Sequence, residues 1–461
     1  MTTTARRFLA AVAVAICTTA AAHAGGGAAP PPVTAFVHVN VVTMDEPQIL
    51  RDRTVLVNDG TIAAIGTALP VPAGAAVVDG GGSAYLSPGL ADMHTHSTTK
   101  RDMAVYLANG VTTVLNMGDA TPEFVGQVRP AIERGRLPGP RVVVAWRVDG
   151  SQRYGNVMVT SADEARALVR LAQTNGYAFI KVYNDLSKEA FDAFIDEGRI
   201  RHVPVVGHGV TSVGILKQLA AGQVLVAHTE EFLYTGFTQP PAAYPNQAPA
   251  DAEIPAMART VRATGAYVTA DLNTYATIAR QWGKPDVLAA MLAAPTTRYL
   301  SPDRRLDWRG EDYVRRHGSL DARLAFLGRF TKALADGGVP LVVGTDAPSI
   351  PGIAPGFSVH DDLDRLVAAG LTRRQALTAA TRTPGEFVSK YVPGAQPAGV
   401  LRVGYRADMI LSAGNPLDDL ATLRKPLGVM AAGRWHARPA LEALLDTVAK
   451  EYDSVCGNAG R

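Results

Sequence analysis

A chain of 461 residues exceeds what one small core needs, and its 47% hydrophobic and 19% charged residues exclude a disordered or fibrous protein. The formal net charge of +3 is small for that length. With no Lys/Arg cluster dominating any face that the sequence identifies, the charge speaks against a nucleic-acid partner and for a small-molecule one.

At the N-terminus, Arg6 and Arg7 precede an apolar run from Phe8 to Ala22 that ends in Ala22-His23-Ala24, a small-x-small cleavage site. Residues 1–24 read as an export signal cut after Ala24, which places the mature protein in the periplasm or outside the cell. The run is shorter than the roughly 20 residues of a membrane span, and no later run is uninterrupted. Arg6-Arg7-Phe8-Leu9 only loosely resembles a twin-arginine signal, and Ile16 before Cys17 is too large for a lipoprotein site. Loss of the leader leaves Cys456 as the only cysteine, so an intrachain disulfide is not expected.

Residues 25–32, GGGAAPPP, form a linker. From Val33 to Ser87 short strands follow, FVHVNVVTM, TVLVNDGTIAAIG with a turn at Asn58-Asp59-Gly60, and AAVVDG. The region 390–440 shows the same kind of pattern in VLRVGYRADMILSAG and LGVMAAGRW, so the two ends are expected to pair in one small β-sandwich. Residues 441–461 read as a C-terminal helix or tail.

Between them, residues 88–389 alternate apolar runs with helical patterns. Eight runs stand out: AYLSPGLADMHTH, GVTTVLNMGD, PRVVVAWRV, YAFIKVYN, VPVVGHG, QVLVAHTEE, AYVTADLN and VPLVVGTDA. SADEARALVRLAQTNG, with Ser161 as cap and Glu164 in capping-box spacing, is one of the helices between them. Eight parallel strands with eight crossovers predict an α/β fold, a (β/α)8 TIM-like barrel inserted in the β-sandwich, with its active site at the C-terminal strand ends.

That rule tests the chain's chemically capable residues. His94 and His96 close the first run, one residue apart, so their imidazoles project side by side. With ten histidines in the chain, chance alone supplies about 0.2 such pairs, and the pair gains weight only from its company. Lys181 lies in the fourth run, His208 ends the fifth, His228 the sixth and Asp346 the eighth. An uncompensated ammonium among the apolar neighbours of FIKVY is costly, and an ammonium cannot ligate a cation; carboxylation of the amine removes both objections. A carboxylate ending a buried strand needs a metal, a cation or several donors. His38, His202, His317, His360 and His436 have no such placement and read as surface or structural.

From Val33 to about Ala437 the chain resembles the amidohydrolase superfamily. PGLADMHTH, the lysine of IKVY, GHG, AHTEE, GTDAP and the closing GVLRVGYRADMILSAGNPLDDL carry the resemblance. It implies two divalent metal ions, zinc foremost, with His94 and His96 on the more buried ion and His208 and His228 on the more exposed one. Lys181 as N6-carboxylysine would bridge them, and Asp346 would ligate the buried ion and move the proton. Two such ions share a water and turn it into hydroxide near neutral pH, which implies attack by a metal-bridging hydroxide on a C–N amide bond. The imidazolonepropionase-related and prolidase-like dipeptidases are the branch it looks most like, so the expected substrate is a dipeptide or N-acyl amino acid. Tyr183 and Tyr234 are candidates to polarise the substrate, and Arg147 to hold its carboxylate. Where many relatives carry a small residue, this chain has Thr229-Glu230-Glu231, whose carboxylates could orient His228 or touch substrate. A lactonase or phosphotriesterase would use the same two-metal site. A one-metal deaminase would lack Lys181 and carry a glutamate where Thr211 stands, and a non-enzymatic scaffold would have lost ligands. The order of oligomer, if any, is open.

Overall fold

The structure is a computed structural model describing residues 33–240 and 246–458; the expected leader and linker lie outside the described residues. The chain begins with β1 (Thr34–Val42), β2 (Ile49–Asn58) and β3 (Thr61–Gly66), joined in an antiparallel meander. The turn between β2 and β3 places Asp59 and Gly60 at φ 47° and 74°, the left-handed conformation that the sequence Asn-Asp-Gly favours. β4 (Ala76–Asp79) and β5 (Tyr85–Pro88) run parallel to β1.

The first long run, expected as one strand, is two. Gly89 separates β5 from β6 (Leu90–Thr95), and a Cβ there would run into Thr112. At this residue the chain leaves the end sheet and enters the barrel. Seven further barrel strands follow: β7 (Val111–Asn116), β8 (Arg141–Asp149, flanked by the short β9, Val157–Met158), β10 (Phe179–Val182), β11 (Val205–Gly207), β12 (Leu225–Val226), β13 (Tyr267–Thr269) and β14 (Leu341–Val342). Each pairs in parallel with the next, and all eight expected runs supply one. Short bonds close the ring between the last strand and the first: Met93 N–H donates to Val343 O at 2.8 Å, Asp346 N–H to His94 O at 2.7 Å and His96 N–H to Ala347 O at 2.7 Å.

The chain then returns to the end sheet as β15 (Met409–Ser412), β16 (Gly428–Ala431) and β17 (Arg434–Ala437). β15 pairs antiparallel with β5, Met409 opposite Pro88, so the two ends do share a sheet. The stretch GVLRVGY ahead of β15, expected as strand, is not one. In the strand order β17-β16-β15-β5-β1, the outer members would stand roughly 19 Å apart in a flat sheet. Yet Phe36 on β1 and Trp435 on β17 meet edge to face at 5.1 Å, so the sheet curls over its own core of Phe36, Val55, Leu86, Met409 and Met430. Helix Arg438–Asn458 follows.

Alternation along the strands explains where the polar residues go. Residues two apart share a face, and the inward series read Val143-Ala145-Arg147, Phe179-Lys181-Tyr183, Val206-His208, Tyr267-Thr269-Asp271 and Val342-Gly344-Asp346. The lower members form one apolar plug, sealed from below by Phe387, which stacks on Phe179 at 5.3 Å. The upper members reach the C-terminal rim. β6 departs from this phase: Ala91 and Met93 join the plug, and a bulge between Asp92 and Thr95 then turns His94 inward. The carboxylate of Asp92 accepts the His94 N–H at 3.2 Å, together with the Thr345 N–H, the Thr345 hydroxyl and the Tyr106 hydroxyl. Burial lifts that carboxyl to about 7 against the pull of those donors.

Candidate metal centre

The six residues picked out by strand position come together above the plug. The ring of His94 lies 5.3 Å from that of His96 and 4.3 Å from that of His228, and His208 stands 5.0 Å from His228. Lys181 Nζ is 3.2 Å from His94 Nε2, and Asp346 Oδ1 is 3.0 Å from His96 Nε2 and 3.6 Å from His94 Nε2. Two glycines make this approach possible. Gly207 takes φ +120°, and a Cβ on it would press on Lys181 Cγ at 2.9 Å; one on Gly344 would lie 2.7 Å from His94 Cβ.

Around this cluster stands a ring of acids. His94 Nδ1 and His228 Nδ1 lie 3.2 and 2.6 Å from Asp271 Oδ2, His96 Nδ1 lies 3.2 Å from Asp119 Oδ2, and His208 Nδ1 meets Glu231 Oε1 at 2.5 Å. All four imidazoles therefore have Nδ1 beside a carboxylate and Nε2 left for the centre; the hydrogen bonds that fix a ring are those of His208 Nδ1 with Glu231 and of His94 Nδ1 with the Ala227 carbonyl at 3.1 Å. Glu231 serves His208, not His228, and also accepts the Gly209 N–H at 2.9 Å. Glu230 stays at the rim, 3.4 Å from the Tyr234 hydroxyl, its carboxyl raised to about 7 by burial.

The charge states follow from burial and neighbours. Burial, then Lys181 and the other imidazoles, push His94 and His208 well below the usual histidine range, so both are neutral. Burial also lowers His96, but Asp119 and Asp346 outweigh it and raise the ring overall. For Asp119, burial is outweighed by His96 and Arg147, which hold the carboxyl well below its ordinary value. Asp271 rises well above its own, through burial and the nearby Asp346 and Asp92. Burial brings the Lys181 amine down to about 8.

These residues fit a cation. His208 Nε2 is buried with no hydrogen-bond partner, and the buried oxygens of Asp271 make no hydrogen bond although Oδ2 lies close to two imidazole nitrogens; such atoms are costly in a low-dielectric site. Among the described residues, two groups have donor atoms close enough to hold an ion, His94 with His96 and Asp346, and His94 with His228 and Asp271. The second is reached from the Nδ1 side of both rings, the side on which carboxylates orient ligands. The first faces Lys181.

The three residues expected to touch substrate are placed differently from one another. Tyr183 stacks on His208 at 3.8 Å and on Tyr154 at 4.8 Å, a wall against the imidazole. Tyr234 sits on the short helix Glu231–Thr235. Arg147 lies within β8 beside Lys181 in register, and its guanidinium is engaged by Asp119 at 3.0 Å and by Asn156 Oδ1 at 2.6 Å. Asp119 and Asp271 were not among the expected site residues, although Asp119 ends the run GVTTVLNMGD and Asp271 lies near the end of AYVTADLN, as the expected ligands do in theirs.

A family model, that of the Amidohydrolase family, matches residues 85–436. No curated protein sequence matches the chain. Among solved structures, a bottromycin amidohydrolase is 22% identical with a TM-score of 0.70, covering 92% of this chain and 91% of its own. A candidate prolidase from Bifidobacterium longum is 24% identical with a TM-score of 0.64, covering 91% and 99%. A Xaa-Pro dipeptidase solved with methionine in its active site is 18% identical with a TM-score of 0.64, covering 88% and 100%. At these identities the likeness is one of fold.

Proposed function

The chain belongs to the amidohydrolase family, and from that premise we propose that it hydrolyses a C–N amide bond in a dipeptide or N-acyl amino acid with the help of two divalent ions, zinc foremost. His94, His96, His208, His228 and Asp346 hold them, with Lys181 carried as N6-carboxylysine. The observation that supports this reading best is the orientation of the four imidazoles, each with Nδ1 against a carboxylate and with Nε2 left for the centre. Divalent ions bound there supply a water acidic enough to lose its proton near neutral pH and an electrophilic grip on a carbonyl. Imidazole and oxygen donors suit zinc.

The chain's own residues do the rest. A lysine amine with its pKa near 8 is neutral in about one molecule in ten at pH 7. That fraction is the form that adds carbon dioxide, and the resulting carbamate exchanges a buried cation for a two-oxygen anion. Asp346 accepts the proton of the attacking water and passes it to the leaving nitrogen, base and acid in turn. Glu231 keeps His208 from turning and the Ala227 carbonyl does so for His94, while Asp271 and Asp119 set their charge beside Nδ1 of His228 and His96. Arg147 acts on His96 through Asp119, and Glu230 with Tyr234 borders the side from which substrate enters.

A screen of the metal-loaded enzyme against dipeptides, N-acyl amino acids, lactones and phosphotriesters tests the reading. Amides are expected to turn over best. Lactones or phosphotriesters exceeding every amide by about a hundredfold in kcat/KM, some 2.7 kcal/mol of transition-state preference, would leave the metal chemistry and remove the amidase.

A further inference from the structure

We propose that the chain binds a small organic dianion, two or more carboxylate or phosphate groups on an apolar body, in a cavity at the base of the barrel, at the end opposite the imidazoles. The cavity, open on one side, has a volume of about 610 Å³, within the roughly 300–1,000 Å³ typical of small-molecule sites. Its walls come from both sheets: the start of β8, the residues ahead of β10, the β16–β17 hairpin and the first turns of helix Arg438–Asn458.

Five guanidiniums line it, those of Arg129, Arg136, Arg141, Arg406 and Arg434, with the imidazole of His436. The acids do not match them. Glu133 is 3.8 Å from Arg129, and Asp408, behind the wall, takes Arg406 at 2.7 Å. Arg141 has only the carbonyl of Gln396, at 2.9 Å. Arg136 and the half-buried Arg434 have neither a side-chain hydrogen bond nor an ion pair among the described residues. Five cations against two carboxylates leave three without an acid of their own: Arg136 is exposed, but Arg141 and Arg434 are partly buried, where a guanidinium with five donors and no acceptor is costly.

The chain makes room for this arrangement. Gly135 takes φ +68°, and a Cβ on it would collide with the Arg434 guanidinium. The crowding is felt at Arg141, whose guanidinium burial and then Arg406 bring down to about 10. Carboxylate and phosphate are the partners that planar guanidiniums recognise in pairs. Ile132, Leu137 and Leu444 supply the apolar contact for a ligand body that a bare inorganic ion would not have. Arg141 and Arg147 are six residues apart on β8, about 20 Å, so the ligand stands clear of the reacting groups.

Naphthalene-1,5-disulfonate, which carries two permanent charges on an apolar ring system and does not strip metal, is the probe. Titration calorimetry on the full chain at low salt is expected to give one saturable site, with no binding of the neutral naphthalene-1,5-disulfonamide. Arg434→Ala and Arg136→Ala are each expected to weaken binding about tenfold and to leave hydrolysis unchanged; Arg136 is exposed, so its replacement leaves the fold alone. Displacement by ADP would identify a phosphate ester as the preferred anion, and displacement by isophthalate a dicarboxylate. No saturable binding, equal binding of the disulfonamide, undiminished binding in both variants, or displacement by neither competitor would overturn the site.

Discussion

The two ends of the barrel carry charge in opposite ways. At the rim, four imidazoles each have a carboxylate beside Nδ1, an arrangement that suits a cation among the Nε2 atoms. At the base, guanidiniums outnumber acids, an arrangement that suits an anion. The strand direction explains part of the contrast. Functional residues at the rim sit on the barrel strands or within four residues of their C-terminal ends. Those at the base come mostly from turns and from a second sheet, so their geometry depends on how two bodies of structure meet.

The sharpest way to break the comparison is at the rim's own cation. Lys181→Ala is expected to abolish hydrolysis and to lower the metal content from about two ions per chain, with short carboxylic acids restoring part of both. Elemental analysis beside rate measurements decides it; a variant that keeps its metal and its rate makes the lysine structural. Asp346→Asn is expected to cut kcat by about 10²–10⁴, as steady-state kinetics on metal-saturated enzyme will read.

The acids behind the imidazoles come next. Glu231→Gln keeps the shape and removes the charge against His208, so metal affinity is expected to fall by about 10–100-fold. Competition with a chelator measures it, and unchanged affinity would return Glu231 to packing. Arg147→Ala should cost less, a few-fold in metal affinity, since a half-exposed ion pair contributes about 1 kcal/mol or less. Its KM ratio between substrates with free and amidated carboxylates should not move, whereas a carboxylate clamp would shift that ratio strongly.

The smallest effect on turnover, none, is expected at His360, which sharpens what makes a ligand. Like His208 it is buried with one ring nitrogen unpartnered. The difference is its company: His360 Nε2 lies 2.9 Å from Asn109 O, and among the described residues no carboxylate or second imidazole makes a hydrogen bond or ion pair with the ring. Burial pulls it down to about 4. The folded state then holds the ring neutral while the unfolded chain takes a proton below about 6.5, so stability is full above that pH and is lost as pH falls from 6.5 to 4. The loss is about 3 kcal/mol at most. His360→Gln should flatten that part of the denaturation profile relative to the parent chain, with kcat untouched.

How much of this the sequence discloses differs between the ends for the same reason. A rule about strand ends finds His94, His96, Lys181, His208, His228 and Asp346, because the rim is built from eight local patterns. Applied to every polar residue it would also have found Asp119 and Asp271. The partner of Glu231 was not readable, since two strand-end imidazoles lie within reach and only the fold chooses His208. Nor was the bulge that turns His94 inward, or the break at Gly89. At the base no local rule applies: Arg136 and Arg141 are near neighbours in sequence, but Arg406 and Arg434 arrive from nearly three hundred residues away, so a chain that shows no basic face when read in order has one when folded.

The pairing of β5 with β15 sets a schedule for the growing chain. Pro88 faces Met409, and at the usual synthesis rate of 5–20 residues per second the partner strand emerges about 16–64 s after the first. β1, β2 and β3 can join as soon as they are made, and β5 can lie down beside β1. Its other edge, which β15 occupies in the finished sheet, stays open while the barrel strands are being added, and an open strand edge is a template for any passing strand. Protection of that edge is therefore a demand on the nascent chain, met by whatever keeps it unfolded or apart from its copies until residue 409 is in place.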